Sequence, residues 1–191
     1  WGRFDQDGAF DSFYGPRAIV ADAQGHLYVA DTGNDRVVVF DSNGTGLSTI
    51  GSSGFELGQL DEPVGLAVNA DGSELYVADT WNQRIQRFRR DSASGEYVAD
   101  LEWTLSAWYG QSLDNKPYLA LDSRGRVYAT DPEGYRVLVF DRDGQFVTTW
   151  GDAGADNTTF SLLTGVAVDA EGQTWVVDYG NNRLMRFPSI P

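Results

Sequence analysis

The sequence alternates short apolar runs with clusters of glycine, asparagine and aspartate. Four of the apolar runs are rich in small residues: Ala18–Ala21, Gly65–Val68, Tyr118–Leu121 and Gly165–Val168. Runs of this length between turn residues are typical of β-strands, and no stretch of the sequence sustains the period of a helix. The pattern therefore predicts an all-β protein.

Each small-residue run leads into a segment that occurs four times in related form. The segment opens with Asx-x-x-Gly and closes with an aspartate, at Asp31, Asp79, Asp131 and Asp178, so that successive units lie 48, 52 and 47 residues apart. An arginine follows each aspartate by five residues, at Arg36, Arg84, Arg136 and Arg183. A phenylalanine follows each arginine by four residues. This period is in the range of β-propeller blades and is too long for most helical repeats.

Each unit is predicted to contain four short strands, a to d. The repeats cover about residues 15–51, 62–105, 116–151 and 163–191, within a single domain of residues 1–191. Residues 1–14 are interpreted as the tail of a preceding strand d and a connecting loop, and the last unit stops after strand c. We predict a β-propeller of four-stranded antiparallel blades, either a closed ring of four blades or part of a larger ring.

The repeated pattern Gly-x-Leu-Tyr-Val-Ala-Asp-Thr-x-Asn-x-Arg-Val-x-x-Phe closely resembles the NHL-repeat β-propellers, including bacterial members. In that family the repeated Asp and Arg brace the turn between strands b and c and the contacts between blades. The resemblance implies a structural role for Asp31, Arg36, Asp79, Arg84, Asp131, Arg136, Asp178 and Arg183. A fourfold repeated ion pair is what a scaffold needs, whereas a single active site does not need four copies.

Function is expected where the repeats differ. In an antiparallel blade the b–c and d–a connections lie at the same end, so their side chains are predicted to form one rim. The third residue of each b–c turn is Asn or Gly, which favours a left-handed backbone there. The predicted rim collects the aromatic residues Trp81, Trp108, Tyr109, Tyr135 and Tyr179 beside Asp5, Asp7, Asp11, Asp114 and Asp156. Such a surface suits stacking on sugars or packing on a protein with basic residues. The alternative is that these rings fold down over the loops.

Composition narrows the partner classes. The chain has 28 acidic and 14 basic residues, a net charge of −14, one histidine and no cysteine. This balance disfavours nucleic acid, and the sequence has no apolar run long enough to span a bilayer. Protein or carbohydrate is expected as the partner. An open array of blades exposes apolar faces, so we also expect either a longer chain or a homo-oligomer to cover them.

Two kinds of metal site are weighed against the sequence. Asp5, Asp7 and Asp11 surround Gly8 with oxygen ligands of the kind that Ca²⁺ prefers, although a solvated acidic turn is the favoured explanation of the spacing. No cofactor is required by the sequence. A lactonase-like propeller site would need carboxylates and amides converging from several inner strands, and strand a here is almost entirely apolar.

The sequence therefore predicts a non-enzymatic binding or scaffold module that presents a loop rim for protein or carbohydrate recognition, with self-assembly as one of the two ways to cover its apolar faces. An extracellular or periplasmic location is expected from the acidity of the chain and from where bacterial proteins of this type often occur. The alternative is a metal-dependent hydrolase of the lactonase-like propeller type. A lyase site of the kind found in one NHL-type enzyme needs several histidines, and this chain has one.

Overall fold

The computed structural model describes the backbone of residues 3–6, 9–109 and 116–191 and the side chains of these residues from Ser12 onward. Regular structure in this part of the chain is β-strand, except for two short 3₁₀ turns at Thr32–Asn34 and Tyr179–Asn181. The predicted all-β fold of propeller-type blades is confirmed.

The first residues form a hairpin instead of the expected strand tail and loop. Strands β1 (Arg3–Gln6) and β2 (Ala9–Ser12) pair antiparallel, with Arg3 opposite Ser12. Asp5 and Asp11 therefore lie within strands and not in a loop. Neither segment, Arg-Phe-Asp-Gln or Ala-Phe-Asp-Ser, has the regular polar–apolar alternation that predicts a strand.

Four blades follow the hairpin. Blade 1 contains β3 (Ala18–Ala21), β4 (Leu27–Asp31), β5 (Arg36–Phe40) and β6 (Gly46–Ile50). Blade 2 contains β7 (Pro63–Val68), β8 (Glu74–Asp79), β9 (Arg84–Arg90) and β10 (Tyr97–Thr104). Blade 3 contains β11 (Leu119–Leu121), β12 (Val127–Asp131), β13 (Arg136–Phe140) and β14 (Phe146–Trp150). Blade 4 contains β15 (Leu163–Val168), β16 (Thr174–Asp178) and β17 (Arg183–Phe187).

Each blade is an antiparallel meander in sequence order. The first three sheets have four strands and blade 4 has three, as the sequence indicated. The closing aspartate of strand b is always directly opposite the arginine that opens strand c, as Asp31 is opposite Arg36. The five-residue spacing in the sequence is thus the length of one tight b–c turn.

The chain divides into two compact units, Trp1–Trp103 and Thr104–Pro191. In the first unit, Tyr28, Val37 and Val39 of blade 1 pack with Leu75 and Phe88 of blade 2 in one core cluster. In the second unit, residues of blades 3 and 4 form an equivalent cluster: Tyr128, Val137, Val139, Phe160, Leu163, Val176 and Met185. Each blade thus buries one apolar face against its neighbour within the same unit, which is where the hydrophobic stabilisation arises.

Candidate functional site

Each of the four repeated ion pairs forms within a single blade. The arginine Nε lies 2.8 Å from the carboxylate in Asp31–Arg36, Asp131–Arg136 and Asp178–Arg183, and 2.6 Å in Asp79–Arg84. The four carboxylate side chains are at most 2% exposed. A buried carboxylate held by a guanidinium is a strong local brace.

The same carboxylates also hold the loop that enters the blade. Asp31 Oδ1 accepts the backbone N–H of Tyr14 at 2.7 Å, and Asp79 Oδ1 accepts that of Asp61 at 2.7 Å. In blade 4, Asp178 accepts the N–H of Ser161 at 2.9 Å. Burial opposes ionisation of Asp178, but these donors and the arginine outweigh it and lower the pKa of this carboxyl. The repeated pairs therefore act on the geometry of their turns.

The left-handed residue of the b–c turn is the fourth, so the prediction of the third needs correction. Positive φ values of 52° to 53° occur at Asp35, Gln83, Tyr135 and Asn182. The third-place asparagine has a different role, because its side-chain amide donates to the buried carboxylate, as in Asn34–Asp31 at 2.8 Å. In blade 3 the third residue is Gly134, whose own N–H makes this bond to Asp131.

The predicted rim aromatic that lies in the first unit is Trp81. Trp81 is 48% exposed on the b–c turn of blade 2, and its backbone N–H donates to the Asp61 carbonyl at 3.2 Å. The neighbouring N–H of Glu62 donates to the Asp35 carboxylate at 2.9 Å. We call Asp35, Asp61, Glu62 and Trp81 the unit 1 loop face.

The unit 1 loop face is strongly acidic. Burial raises the pKa of Asp61, and the nearby charges of Asp35, Asp79 and Glu62 raise it further. Burial is the larger cause, and the contribution of the three neighbouring carboxylates means that negative charges lie close together here, because each disfavours ionisation of the next. A cationic group placed at this face would relieve that repulsion.

The second unit holds four of the predicted rim residues, and three of them are exposed. Tyr109 and Tyr179 are 65% and 64% exposed, and Tyr135 is 36% exposed. Trp108 is 2% exposed, and its indole N–H donates to the Thr130 carbonyl at 2.9 Å. The prediction that Trp108 presents its ring on the rim is therefore wrong, because the ring is buried in the interior of this unit.

The predicted acidic residues of the rim are only partly described. Asp7 and Asp114 lie outside the described residues, as do the side chains of Asp5 and Asp11. The Asp156 carboxylate accepts bonds from Thr158 and Thr159 in its own loop, and these bonds lower its pKa. The hypothesis of a calcium site at Asp5, Asp7 and Asp11 stays a prediction.

One pair of interactions was missed at the sequence level. On strand c of blade 2, Arg84 contacts Glu102 at 2.6 Å and Arg87 contacts Asp100 at 2.8 Å, and both carboxylates belong to strand d. The signal was present in the repeats: the position of Arg87 holds Arg186 in blade 4 but valine in blades 1 and 3. The matching signal on strand d was the placement of acidic residues at alternate positions in Tyr97–Thr104.

The fold and the repeated turn define an NHL-type β-propeller protein. A family model for the NHL repeat matches residues 13–40, and a family model for the SMP-30/gluconolactonase/LRE-like region matches residues 56–165. The second match covers more than half of the chain, so the chain belongs to the SMP-30/gluconolactonase/LRE-like family. The predicted NHL-repeat resemblance is confirmed.

Similar proteins are longer than this chain. It is 25% identical over 151 residues to protein brain tumor of Drosophila melanogaster, covering 78% of this chain and 14% of that protein. It is 25% identical over 177 residues to mouse NHL repeat-containing protein 3, covering 85% and 48%. A streptogramin B lyase structure aligns with a TM-score of 0.63 at 12% identity, covering 100% of this chain and 63% of that one. The last likeness establishes the fold alone.

In the described part of the chain, no three histidine, aspartate or glutamate residues converge closely enough to hold a metal ion. No helix there is long and apolar enough to cross a membrane. What the described site offers is a rigid turn scaffold with exposed aromatic rings and, in the first unit, a crowded negative charge.

Proposed function

We propose that this chain is a non-enzymatic protein-recognition module that binds through the variable side chains of its b–c turns. One observation carries the proposal: four turns with the same Asp–Arg brace present different residues to solvent. Trp81 and Tyr179 are largely exposed, although neither side chain is needed to build its turn. A constant scaffold with variable exposed groups is the usual arrangement of a recognition surface.

The partner of the unit 1 loop face is proposed to be a basic protein segment. Asp35, Asp61 and Glu62 supply negative charge, and Trp81 supplies the ring best suited to a cation–π contact with Arg or Lys. A cation would lower the raised pKa of Asp61 by offsetting its neighbours. Protein brain tumor and NHL repeat-containing protein 3 share the repeats, which supports testing proteins as binding partners before other ligand classes.

The test uses the full chain and a defined probe, an N-acetylated and C-amidated peptide of four Arg-Gly units. We expect the peptide to bind with an affinity that falls with salt and drops about fivefold or more in Trp81→Ala. Tyr179→Ala is the matched control, since Tyr179 is a similarly exposed ring on a turn of the other unit. Equal affinity of the native chain and Trp81→Ala would remove the unit 1 loop face as the binding site.

Carbohydrate is the other ligand class expected from the sequence. The native chain, Trp81→Ala and a further variant, Tyr135→Ala, are titrated with soluble cello- and xylo-oligosaccharides. Saturable binding of these sugars that depends on Trp81 or on Tyr135, with no binding of the basic peptide, would overturn protein recognition in favour of sugar recognition.

A metal-dependent hydrolase is the second candidate, and the match to the SMP-30/gluconolactonase/LRE-like region favours it. The described residues do not fit a metal site, because strand a supplies apolar side chains and no cluster of three ligands forms. The test measures hydrolysis of glucono-δ-lactone with Ca²⁺, Mn²⁺ or Zn²⁺ added, and the rate is obtained from the release of protons. A cation-dependent rate well above the uncatalysed one would establish the enzymatic alternative.

A further inference from the structure

A cavity of about 400 Å³ lies between blades 1 and 2 within the first unit. Blade 1 contributes His26, beside its a–b turn, and Leu47 near the start of β6. Blade 2 contributes Arg90 at the end of β9 and Tyr97 at the start of β10. Successive turns of an antiparallel meander lie at opposite ends, so this cavity is separate from the unit 1 loop face. Its volume is in the range of small-molecule sites.

Hydrogen-bonded side chains join the two blades at this cavity. The Tyr28 hydroxyl lies 3.0 Å from the Asp22 carboxylate and 2.7 Å from the Tyr97 hydroxyl. The Tyr97 hydroxyl also donates to the Gly72 carbonyl of blade 2. Burial raises the pKa of both tyrosines, so both hydroxyls remain protonated. The walls of the cavity are therefore fixed before any ligand arrives.

His26 is oriented by the same carboxylate. Its Nδ1 lies 2.8 Å from Asp22 Oδ2, and the Asp22 side chain is 1% exposed. Burial opposes ionisation of Asp22, but hydrogen bonds from His26 and Tyr28 outweigh it and lower the pKa of this carboxyl. An ionised carboxylate only accepts, so Nδ1 carries the proton. In the neutral ring Nε2 is then an acceptor, and it has no hydrogen-bond partner among the described residues.

The imidazole is an addition to the repeated scaffold. In blade 4 the bond between the strand-b aromatic and the a–b turn forms without it, from Trp175 Nε1 to Asp169 at 2.8 Å. The position of His26 holds Gln173 in that blade, and His26 is the only histidine of the chain. A side chain that one repeat has and the scaffold does not need is a candidate for binding.

Arg90 supplies positive charge to the cavity. Its Nε donates to the Gly95 carbonyl at 3.2 Å, and it forms no ion pair with a described residue. Burial raises the pKa of Tyr97, and the charge of Arg90 partly offsets this, which places the guanidinium near the Tyr97 hydroxyl. Glu96 is the only carboxylate among the described lining residues, and it is exposed. A guanidinium with donors to spare suits a ligand carboxylate.

The apolar part of the lining suits a ring. Val39 and Leu47 of blade 1 and the ring of Tyr97 supply it. Leu47 is 49% exposed, so its side chain is open to a ligand. The Tyr97 ring stands edge-on to Tyr28 with centroids 5.9 Å apart, which fixes its orientation. Aromatic ligands pack well against such a fixed ring.

We propose that this cavity binds a small aromatic carboxylate that carries a hydroxyl group. Arg90 binds the ligand carboxylate, and the ligand hydroxyl donates to Nε2 of His26. The aromatic body packs against Leu47 and the Tyr97 ring. Glu96 weakens binding, because its charge repels that of the ligand.

The experiment titrates the full chain with 4-hydroxyphenylacetate at millimolar concentrations. Phenylacetate lacks the hydroxyl, and 4-hydroxyphenylacetamide lacks the charge. We expect saturable binding of 4-hydroxyphenylacetate, about fivefold weaker binding of phenylacetate and at least about tenfold weaker binding of the amide. Equal binding of the amide would exclude recognition of the carboxylate, and equal binding of phenylacetate would exclude the acceptor role of His26. Absence of saturable 4-hydroxyphenylacetate binding would overturn the proposal.

Variants of the charged residues locate the site. Arg90→Gln is expected to weaken 4-hydroxyphenylacetate about tenfold. Arg124→Gln is the matched control, an exposed arginine on the a–b turn of blade 3, and should leave the affinity unchanged. Glu96→Gln is expected to strengthen binding about twofold, since it removes the repulsion. Equal affinities of the Arg90 and Arg124 variants would contradict the proposed site.

The role of His26 has its own variant and signal. His26→Leu should weaken 4-hydroxyphenylacetate about fivefold and leave phenylacetate unchanged. The turn is retained, because Asp22 still accepts the backbone N–H groups of residues 24 and 26 and the Tyr28 hydroxyl. As the only histidine, His26 gives one Cε1–H signal in a ¹H–¹³C spectrum, and this signal should shift on binding. A signal that does not move at saturation would place the ligand elsewhere and refute the proposal.

Discussion

Blades 2 and 4 share one turn motif but differ in what surrounds it. In both, an arginine Nε holds a buried aspartate and an asparagine amide supports it, at Asp79, Asn82 and Arg84 and at Asp178, Asn181 and Arg183. The side chain of Arg84 is 7% exposed and that of Arg183 is 24% exposed. The motif sets the local turn, whereas the fuller burial of Arg84 accompanies its contact with Glu102 and the neighbouring Gln86 side chain. A fourth strand alone is not sufficient, since Arg136 of blade 3 is 34% exposed.

This difference predicts unequal costs for losing the same carboxylate. Asp79→Ala should destabilise its unit by about 3–5 kcal/mol, because Arg84 and Gln86 would keep buried donors without their acceptor. Asp178→Ala should cost less, about 1–3 kcal/mol, since water can reach Arg183. Urea unfolding of both variants measures the two values. Equal losses would show that strand d does not strengthen the brace.

The second prediction concerns the packing of strand d in blade 2. Tyr97→Ala removes the ring that packs against Tyr28 and should cost about 2–4 kcal/mol, because a cavity forms between the two blades of the first unit. The control is Val98→Ala on the same strand, whose side chain is exposed and should cost under about 0.5 kcal/mol. A loss for Tyr97→Ala as small as the control's would mean that the first unit tolerates an open strand-d position.

The third prediction concerns the charge pairing between strands c and d. Glu102→Gln removes one carboxylate from Arg84, which retains Asp79 and three backbone carbonyls. Because Glu102 is partly exposed, the expected loss is about 0.5–1 kcal/mol, and it should shrink in high salt. Thermal unfolding at low and high ionic strength tests this. A larger loss that does not change with salt concentration would show that Glu102 stabilises the fold by packing and not by its charge.

The sequence was sufficient to predict the blades because their signals repeat. Four copies of the Asp–Arg–Phe spacing fixed the strands b and c, and residues between the copies fixed the turns. It could not predict the burial of Trp108, since a single aromatic in a long connection has no repeated counterpart that shows which way it faces. The hairpin of β1 and β2 was missed for the same reason: its short strands match no other part of the chain.

The acidic strand d shows a second limit. Alternating acids in Tyr97–Thr104 and the paired arginines were visible, yet each alone is ordinary for a surface strand. Their meaning depends on the pairing of β9 with β10, which places Arg84 and Arg87 beside Glu102 and Asp100. Tertiary pairing thus decides which surface charges are partners, and a pattern along one strand does not.

The last and smallest effect is a difference in pH dependence at the entry to the two blades. Asp61 lies in the loop that enters blade 2 and Ser161 in the loop that enters blade 4, and the backbone N–H of each donates to the closing aspartate of its blade. Burial and the charges of Asp35, Asp79 and Glu62 raise the pKa of Asp61. The folded state therefore binds this proton more tightly than the unfolded chain, so ionised Asp61 destabilises the fold above its folded pKa.

Asp61→Asn is consequently expected to stabilise the first unit at pH 7 by about 0.2–0.5 kcal/mol, a small value because solvent screens this partly exposed group. The gain should disappear as the pH falls below about 3.9, where the native carboxyl is protonated in both states. Ser161→Asn is the matched control and should show no such pH dependence. Urea unfolding at several pH values measures both variants. A gain for Asp61→Asn that persists at pH 3 would assign the effect to hydrogen bonding by the amide and remove charge crowding as its cause.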